Sequence, residues 1–114
     1  MSEVKLVTII LNKTECLDEL LETFRDNNMS GATIIDSKGM IQELSDSDDF
    51  RIVGSLRELF MPSHKENKTI IMVARDEDIK AISRIVNEAT GGLNNPDTGI
   101  MFTVPIDYLE GLSR

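Results

Sequence analysis

The chain has 114 residues, a length suited to one domain with a single modest core, so residues 1–114 are treated as one unit. Twelve basic and twenty acidic residues give a net charge of −8, which repels phosphate backbones and anionic lipid headgroups and excludes a nucleic-acid-binding protein. No apolar run approaches a membrane span, and the acidic start at Glu3 does not resemble a signal peptide. We therefore expect a cytoplasmic protein without direct membrane insertion.

Side chains that bind metals are few and poorly spaced for that purpose. The one cysteine, Cys16, and the one histidine, His64, are far apart in sequence and do not form a zinc-ligand pattern. The acidic run around Asp46 and Asp48 lacks the glycine and the final glutamate of an EF-hand loop. We predict no metal site and interpret the acidic run as solvated surface.

The first half of the chain has the pattern of a strand, a helix and a second strand. Val4 to Leu11 is apolar in both alternating sets of side chains, as expected for a strand buried on two faces. Asn12 begins a capping-box pattern, and an amphipathic helix follows to about Asn28. Gly31 is typical of a left-handed helix end, and Ala32 to Asp36 is predicted to be the second strand.

The second half repeats this order. Thr69 to Ala74 is a nearly apolar run that predicts a third strand. Asp76 is a good N-cap for a second amphipathic helix, which Gly91-Gly92 should stop. Ile100 to Val104 is the predicted fourth strand.

The element order βαββαβ predicts an α+β, ferredoxin-like sandwich, with a four-stranded antiparallel sheet and both helices on one face. Two helices cover one face of the sheet, yet the strands are apolar on both faces. Six exposed Ile, Leu or Val side chains would forfeit on the order of 10 kcal/mol of burial free energy. We therefore predict that other copies of the subunit cover the second face, as in a homo-oligomer.

A long insertion, residues 38–67, joins the second and third strands. Connections of this length in compact domains are usually functional or disordered. We expect Ser45 to Asp49, an acidic and turn-prone stretch, to be the most mobile internal segment, and Ser55 to Phe60 to form a short docked helix. The insertion either presents a surface to a partner or only packs on a neighbouring subunit. The candidate partner-contacting residues are Glu43, Asp46, Asp48, Asp49 and Arg57.

Catalytic patterns are absent from the sequence. It contains no nucleophile elbow, Walker loop or dinucleotide fingerprint, so we do not expect an enzyme. Gly91-Gly92 with Gly99 is the one glycine-rich feature, and such a turn can present backbone N–H groups to an anion. A helix C-cap explains Gly91 equally well.

Four segments carry a resemblance to a known family: Gly31 to Thr33, Lys38-Gly39, Ala89 to Gly91, and Phe102 to Ile106. Together with the βαββαβ order, they resemble the PII-type signal-transduction family of trimeric sensors, which includes regulators of nitrogen metabolism. The resemblance runs from Lys5 to about Asp107. It implies that residues 38–67 correspond to the family's "T-loop" and the glycine turn to its nucleotide-cradling "B-loop".

The resemblance also implies roles for particular residues. Thr33 would lie by an adenine, Lys38-Gly39 at the base of the T-loop near the phosphates, and Thr90 in the phosphate cradle between subunits. The implied ligand-binding residues are Thr33, Lys38, Gly39, Thr90, Gly91, Gly92 and Gly99. The implied ligand is a small molecule such as an adenine nucleotide, and the implied partner is a transporter or a metabolic enzyme.

The chain departs from the family at three points. Ile100 follows Gly99 where the family has a cradle lysine, the paired arginines of the C-terminal segment are missing, and the long loop has no tyrosine. The chain therefore resembles a diverged, non-enzymatic PII-like regulator. The alternative is a ligand-free structural or accessory trimer in which the loop serves only oligomer packing.

The departures lead to a first prediction, that ATP binds weakly or not at all. Removing two or three cations from a triphosphate site removes charge-assisted hydrogen bonds that a chain of net charge −8 does not readily replace. Isothermal calorimetry with ATP tests this expectation. A micromolar dissociation constant would show that the alignment at Ile100 or the charge argument is wrong.

Overall fold

A computed structural model describes residues 3–46 and 66–111 of the chain. The elements follow the predicted order, with one additional helix after the second strand. Short 3-10 turns, Thr14–Cys16 and Asp76–Asp78, precede the first and the last helix. The helices and strands are β1 (Val4–Leu11), α1 (Leu17–Asp26), β2 (Thr33–Ser37), α2 (Met40–Asp46), β3 (Asn67–Arg75), α3 (Ile79–Thr90) and β4 (Gly99–Pro105).

The four strands form one antiparallel sheet in the order β2-β3-β1-β4. β1 is therefore central, and it pairs along its whole length with β3, from Val4 opposite Arg75 to Leu11 opposite Lys68. This strand order, with α1 and α3 packed together on one face, confirms the predicted ferredoxin-like sandwich.

The core lies between the sheet and the two long helices. One alternating set of β1 side chains, Val7, Ile9 and Leu11, is fully buried. Leu20 and Phe24 of α1 cover this set from above, and α3 contributes a second buried stripe. That stripe consists of Ile82, Ile85 and Val86. These buried stripes are as expected for the two amphipathic helices that the sequence predicts.

The opposite face of the sheet is also apolar, and no described element of the protomer covers it. In one row across the sheet, Ile10 of β1 lies between Thr69 of β3 and Ile100 of β4. In the next row, Thr8 lies between Ile71 and Phe102. The side chains at the edges of this face are 43–55% exposed. They are Ile35, Ile100, Phe102 and Val104, and together with Ile10 and Ile71 we refer to them as the open face.

The helix ends differ from the prediction. Neither α1 nor α3 has a side-chain cap hydrogen bond at its start, because a 3-10 turn precedes each of these helices. The Asn12 side chain instead accepts a hydrogen bond from Asn67, and Asp76 lies inside its 3-10 turn. After α1, the left-handed residue is Asn28, with φ of 61°, and not Gly31. Asparagine tolerates this conformation because its short side chain bonds locally. The prediction for Gly91 is confirmed, since it ends α3 with φ of 83°.

The insertion begins with a helix that the sequence analysis did not predict. Glu43 and Asp46 lie in α2, where an acidic, turn-prone segment was expected. Met, Gln, Glu and Leu are strong helix formers, and in this stretch their propensity outweighs the turn preference of Ser and Asp. Ser45 is helical as well, so part of the segment predicted to be mobile belongs to α2. Asp48, Asp49, Arg57, His64 and the predicted helix Ser55 to Phe60 lie outside the described residues.

Within residues 3–46 and 66–111, no helix is long and apolar enough to cross a membrane.

The pairing of β1 and β4 leads to a second prediction, on Gly99. A Cβ added to Gly99 would lie 2.6 Å from the backbone oxygen of Ile10, and its φ of 156° is unfavourable for other residues. Gly99→Ala should therefore lower the free energy of unfolding by roughly 2–4 kcal/mol, since β4 must move away from β1. Thermal denaturation at fixed protein concentration measures this change.

The matched control is Gly31→Ala. A Cβ added to Gly31 meets no atom within 4 Å, so this variant should stay within about 0.5 kcal/mol of the wild type. Equal melting temperatures for the two variants would contradict the close approach of β4 to β1.

Candidate functional site

The predicted ligand-binding residues gather at one edge of the sheet. The strand register pairs Ser37 of β2 with Asn67 of β3, and it places Lys68 of β3 and Gly99 of β4 beside Leu11 of β1. The insertion and the α3–β4 turn therefore start from the same edge. We call this edge the loop base, formed by residues 11–13, 37–39, 66–68 and 90–99. It includes six of the predicted residues: Lys38, Gly39, Thr90, Gly91, Gly92 and Gly99.

Thr33, the seventh predicted residue, is not at the loop base. It is exposed at the start of β2 and pairs with Ile71, four residues from the Ser37–Asn67 pair. At about 3.3 Å per residue, this places Thr33 roughly 13 Å away along the strand. Thr33 therefore shares a protomer's ligand site with Lys38 only if the ligand extends along β2.

A chain of polar side chains connects the two arms of the insertion to β1. The Ser37 hydroxyl contacts the Asn67 side-chain oxygen and lies 2.7 Å from the Thr69 hydroxyl oxygen. The Asn67 amide nitrogen donates to the side-chain oxygen of Asn12 at 3.3 Å. The residues at which the insertion leaves and re-enters the sheet are thus tied to each other and to the end of β1.

The turn between β1 and the first 3-10 turn continues this connection to α3. The backbone N–H groups of Asn12 and Lys13 donate to the Thr98 carbonyl at 3.0 and 3.1 Å. The Lys13 ammonium donates to the Thr90 carbonyl at 3.0 Å. Sequence reasoning missed Asn12 and Lys13 as site residues. The available signal was a polar Asn-Lys pair directly after a strand that is buried on both faces.

The α3–β4 turn uses its backbone donors internally. The Gly92 N–H donates to the Thr90 hydroxyl at 3.3 Å, and the Leu93 N–H donates to the Asn87 side chain at 2.8 Å. The Asn95 N–H donates to the Gly92 carbonyl at 3.1 Å. These N–H groups are therefore not directed at a ligand in this conformation.

Two of the cations near the loop base are neutralised by carboxylates. Lys38 lies 3.5 Å from Glu43, so a predicted ligand residue pairs with a predicted partner-loop residue. The Lys68 ammonium donates to Asp36 at 2.5 Å, and this hydrogen bond raises the pKa of Lys68 above its usual value. Within the described part of the chain, no carboxylate lies within ion-pair distance of Lys13.

A cavity of about 470 Å³ lies near the other end of the sheet, where the segment before β2 separates from β3. Its lining includes the buried apolar residues Met72, Ala74 and Ile82 and the polar residues Ser30 and Asp78. Its volume falls within the range of small-molecule pockets. The cavity adjoins Gly31, which lies just before β2. The loop base lies at the other end of β2, so each end of this strand borders a place where a ligand could bind.

Comparisons with known structures show a shared fold. The crystal structure of a functionally unknown protein from Pediococcus pentosaceus superposes on this chain with a TM-score of 0.65 and 18% identity, covering 98% of this chain and 100% of that chain. Arabidopsis thaliana PII bound to citrate superposes with a TM-score of 0.63 and 12% identity, covering 92% of this chain and 78% of that chain. No protein-family model and no curated protein sequence matches the chain. The likeness therefore establishes a PII-like fold.

Proposed function

We propose that this protein is a trimeric, PII-like regulator that binds a small ligand at the loop base, in a cleft between subunits. Ligand binding would change the conformation of residues 38–67, which contact a partner protein. The observation that carries this proposal is the shared edge: both arms of the insertion and the α3–β4 turn are joined there through Asn12 and Lys13. A ligand bound at this edge touches the insertion and the body of the protein at once.

The open face supports the trimeric assembly. Ile35, Phe102 and Val104 remain 43–45% exposed, on a sheet whose other face carries the packed core of the protomer. Contiguous apolar surface of this kind is characteristic of protein interfaces. Burying it between symmetry-related copies recovers about 25 cal/mol for each Å² removed from water.

The ligand in this proposal is a small metabolite, either an adenine nucleotide or a small carboxylate. The fold and the position of the loop base support the first, and the citrate bound to Arabidopsis PII supports the second. The regulated partner would be a transporter or a metabolic enzyme in the cytoplasm, as in nitrogen regulation. The protein acts by binding and carries out no reaction.

A structural role for the insertion is the second candidate, and one observation favours it. The first part of the insertion forms α2, in which Gln42 is only 4% exposed while the apolar side chains Met40, Ile41 and Leu44 remain exposed. A helix with exposed apolar side chains suits a clasp between subunits. In that case residues 38–67 would have the same conformation with and without ligand.

A third prediction tests the assembly. Phe102→Glu places a charge in the open face, where burial of an unpaired carboxylate is strongly unfavourable. The wild type should sediment as a trimer at micromolar concentration, and the variant should dissociate. Arg84→Glu on the exposed side of α3 is the matched control and should remain trimeric. A wild-type monomer would refute the assembly.

A fourth prediction tests ligand sensing. In a thermal-shift screen with ATP, ADP, AMP, cyclic dinucleotides, 2-oxoglutarate and citrate, at least one ligand should raise the melting temperature. At one hundred times its dissociation constant, a ligand adds roughly 2.7 kcal/mol of stability. Hydrogen exchange with that ligand should then change across residues 38–67. An unchanged exchange pattern with a bound ligand would favour the structural clasp.

A further inference from the structure

The sheet leaves two strands without a neighbour on one side, and the directions of these strands match. The order β2-β3-β1-β4 places β2 at one edge and β4 at the other. Each pairing in the sheet is antiparallel, so β2 runs in the same direction as β1, and β4 runs opposite to both. In a ring of copies, β4 of one copy would therefore meet β2 of the next copy in antiparallel orientation, the pairing that the rest of the sheet uses.

The same register places the end of β4 level with the cavity beside β3. Pro105, the last residue of β4, pairs with Lys5, and Lys5 pairs with Ala74, which lines the cavity. The pairing of β2 with β3 begins at Thr33, and the cavity lies before that point, between the segment that precedes β2 and the end of β3. In the ring, the segment that follows β4 in one copy therefore approaches the cavity of the next copy.

The segment after β4, residues 106–111, carries large side chains that the protomer leaves exposed. Tyr108 is 77% exposed and Leu109 is 38% exposed. The Ile106 N–H donates to the Val4 carbonyl at 3.1 Å, so the sheet fixes the direction in which this segment leaves β4. Tyr108 follows two residues later, which is about 7 Å along an extended chain. The tyrosine is thus carried past the end of the sheet, toward whatever lies beyond the β4 edge.

The cavity matches the chemistry of a tyrosine side chain. Its volume of about 470 Å³ is that of a small-molecule pocket, and its buried apolar lining suits an aromatic ring. A buried tyrosine hydroxyl needs a hydrogen-bond partner. In the protomer, the Tyr108 hydroxyl donates to the Glu110 carboxylate. Asp78 supplies a half-buried carboxylate of the same kind at the cavity.

We propose that, in the assembled protein, Tyr108 of one copy inserts into the cavity of the next copy, with Leu109 packed beside it. This inference rests on the proposed trimeric assembly and adds to it a contact in which one copy completes a pocket of another. Each interface then buries a large side chain that the protomer exposes. The cavity is consequently a socket between subunits, and a small molecule binds there only by displacing Tyr108.

Tyr108 reports on this contact directly, because the chain has one tyrosine and no tryptophan. Acrylamide quenches tyrosine fluorescence in proportion to the exposure of the ring. At a concentration at which the wild type sediments as a trimer, we expect its quenching constant to be at least threefold lower than that of N-acetyltyrosinamide in the same buffer. The dissociated Phe102→Glu variant should be quenched nearly as strongly as the free amide.

A pair of introduced cysteines locates the contact. In a Cys16→Ala background, Asp107→Cys lies beside Tyr108 and Ser30→Cys lies at the cavity. The two positions adjoin opposite edge strands of one protomer, roughly 14 Å apart across the sheet, so a disulfide between them must join two copies. Mild oxidation should give covalent dimers and trimers on a denaturing gel. Glu88→Cys, exposed near the other end of α3, replaces Ser30→Cys in the matched control and should give at least tenfold less of these species.

Two outcomes would overturn the inference while leaving the assembly intact. A wild-type trimer that is quenched as strongly as the free amide would show that Tyr108 stays in solvent. A trimer with a shielded Tyr108, but with no more cross-linking at Ser30 than at Glu88, would place the tyrosine elsewhere in the interface. A wild-type monomer would refute the assembly itself. Ligand sensing at the loop base is tested separately by the thermal-shift screen, so failure here is distinguishable from failure of the proposed function.

Discussion

The structure depends on a central strand that is apolar on both sides. β1 pairs with β3 on one side and β4 on the other, and its two sets of side chains point to opposite faces of the sheet. One set, with Val7 and Ile9, is sealed by α1 and α3. The other set includes Ile10, which lies in the open face. Under the proposed assembly, folding and association would therefore be linked through one eight-residue segment.

The central position of β1 also determines what lies at the loop base. Because β1 ends between the start of β3 and the start of β4, the next residues, Asn12 and Lys13, reach both neighbours. Asn12 contacts Asn67 at the insertion, and Lys13 contacts Thr90 at the end of α3. A short polar pair after a buried strand thus connects two segments that are far apart in sequence. Under the proposed function, this connection would couple a ligand at the loop base to the insertion.

The sequence was sufficient for the parts of the fold that depend on periodic burial. The strands and the uncovered face follow from the apolar pattern of the strands, and the buried faces of α1 and α3 follow from apolar residues spaced three and four apart. The starts of the helices could not be predicted from the sequence, because a 3-10 turn changes which backbone groups need a cap. Gly31 was assigned a left-handed conformation that Asn28 adopts, since both residue types tolerate it and local sequence does not separate them. Lys38 was predicted at the site, but its partner Glu43 depends on α2, whose formation was not foreseen.

The anchoring of the α3–β4 turn has a consequence for sequence variation. The turn is fixed at one end by the left-handed Gly91 and at the other by the close approach of Gly99 to Ile10. The Thr98 carbonyl, which accepts two N–H groups from the β1 end, fixes the second end further. The intervening residues 93–97 carry no strand register. Insertions and deletions there would leave the strand register unaltered, so the length of this turn can vary without a change in the pairing of β1 with β4.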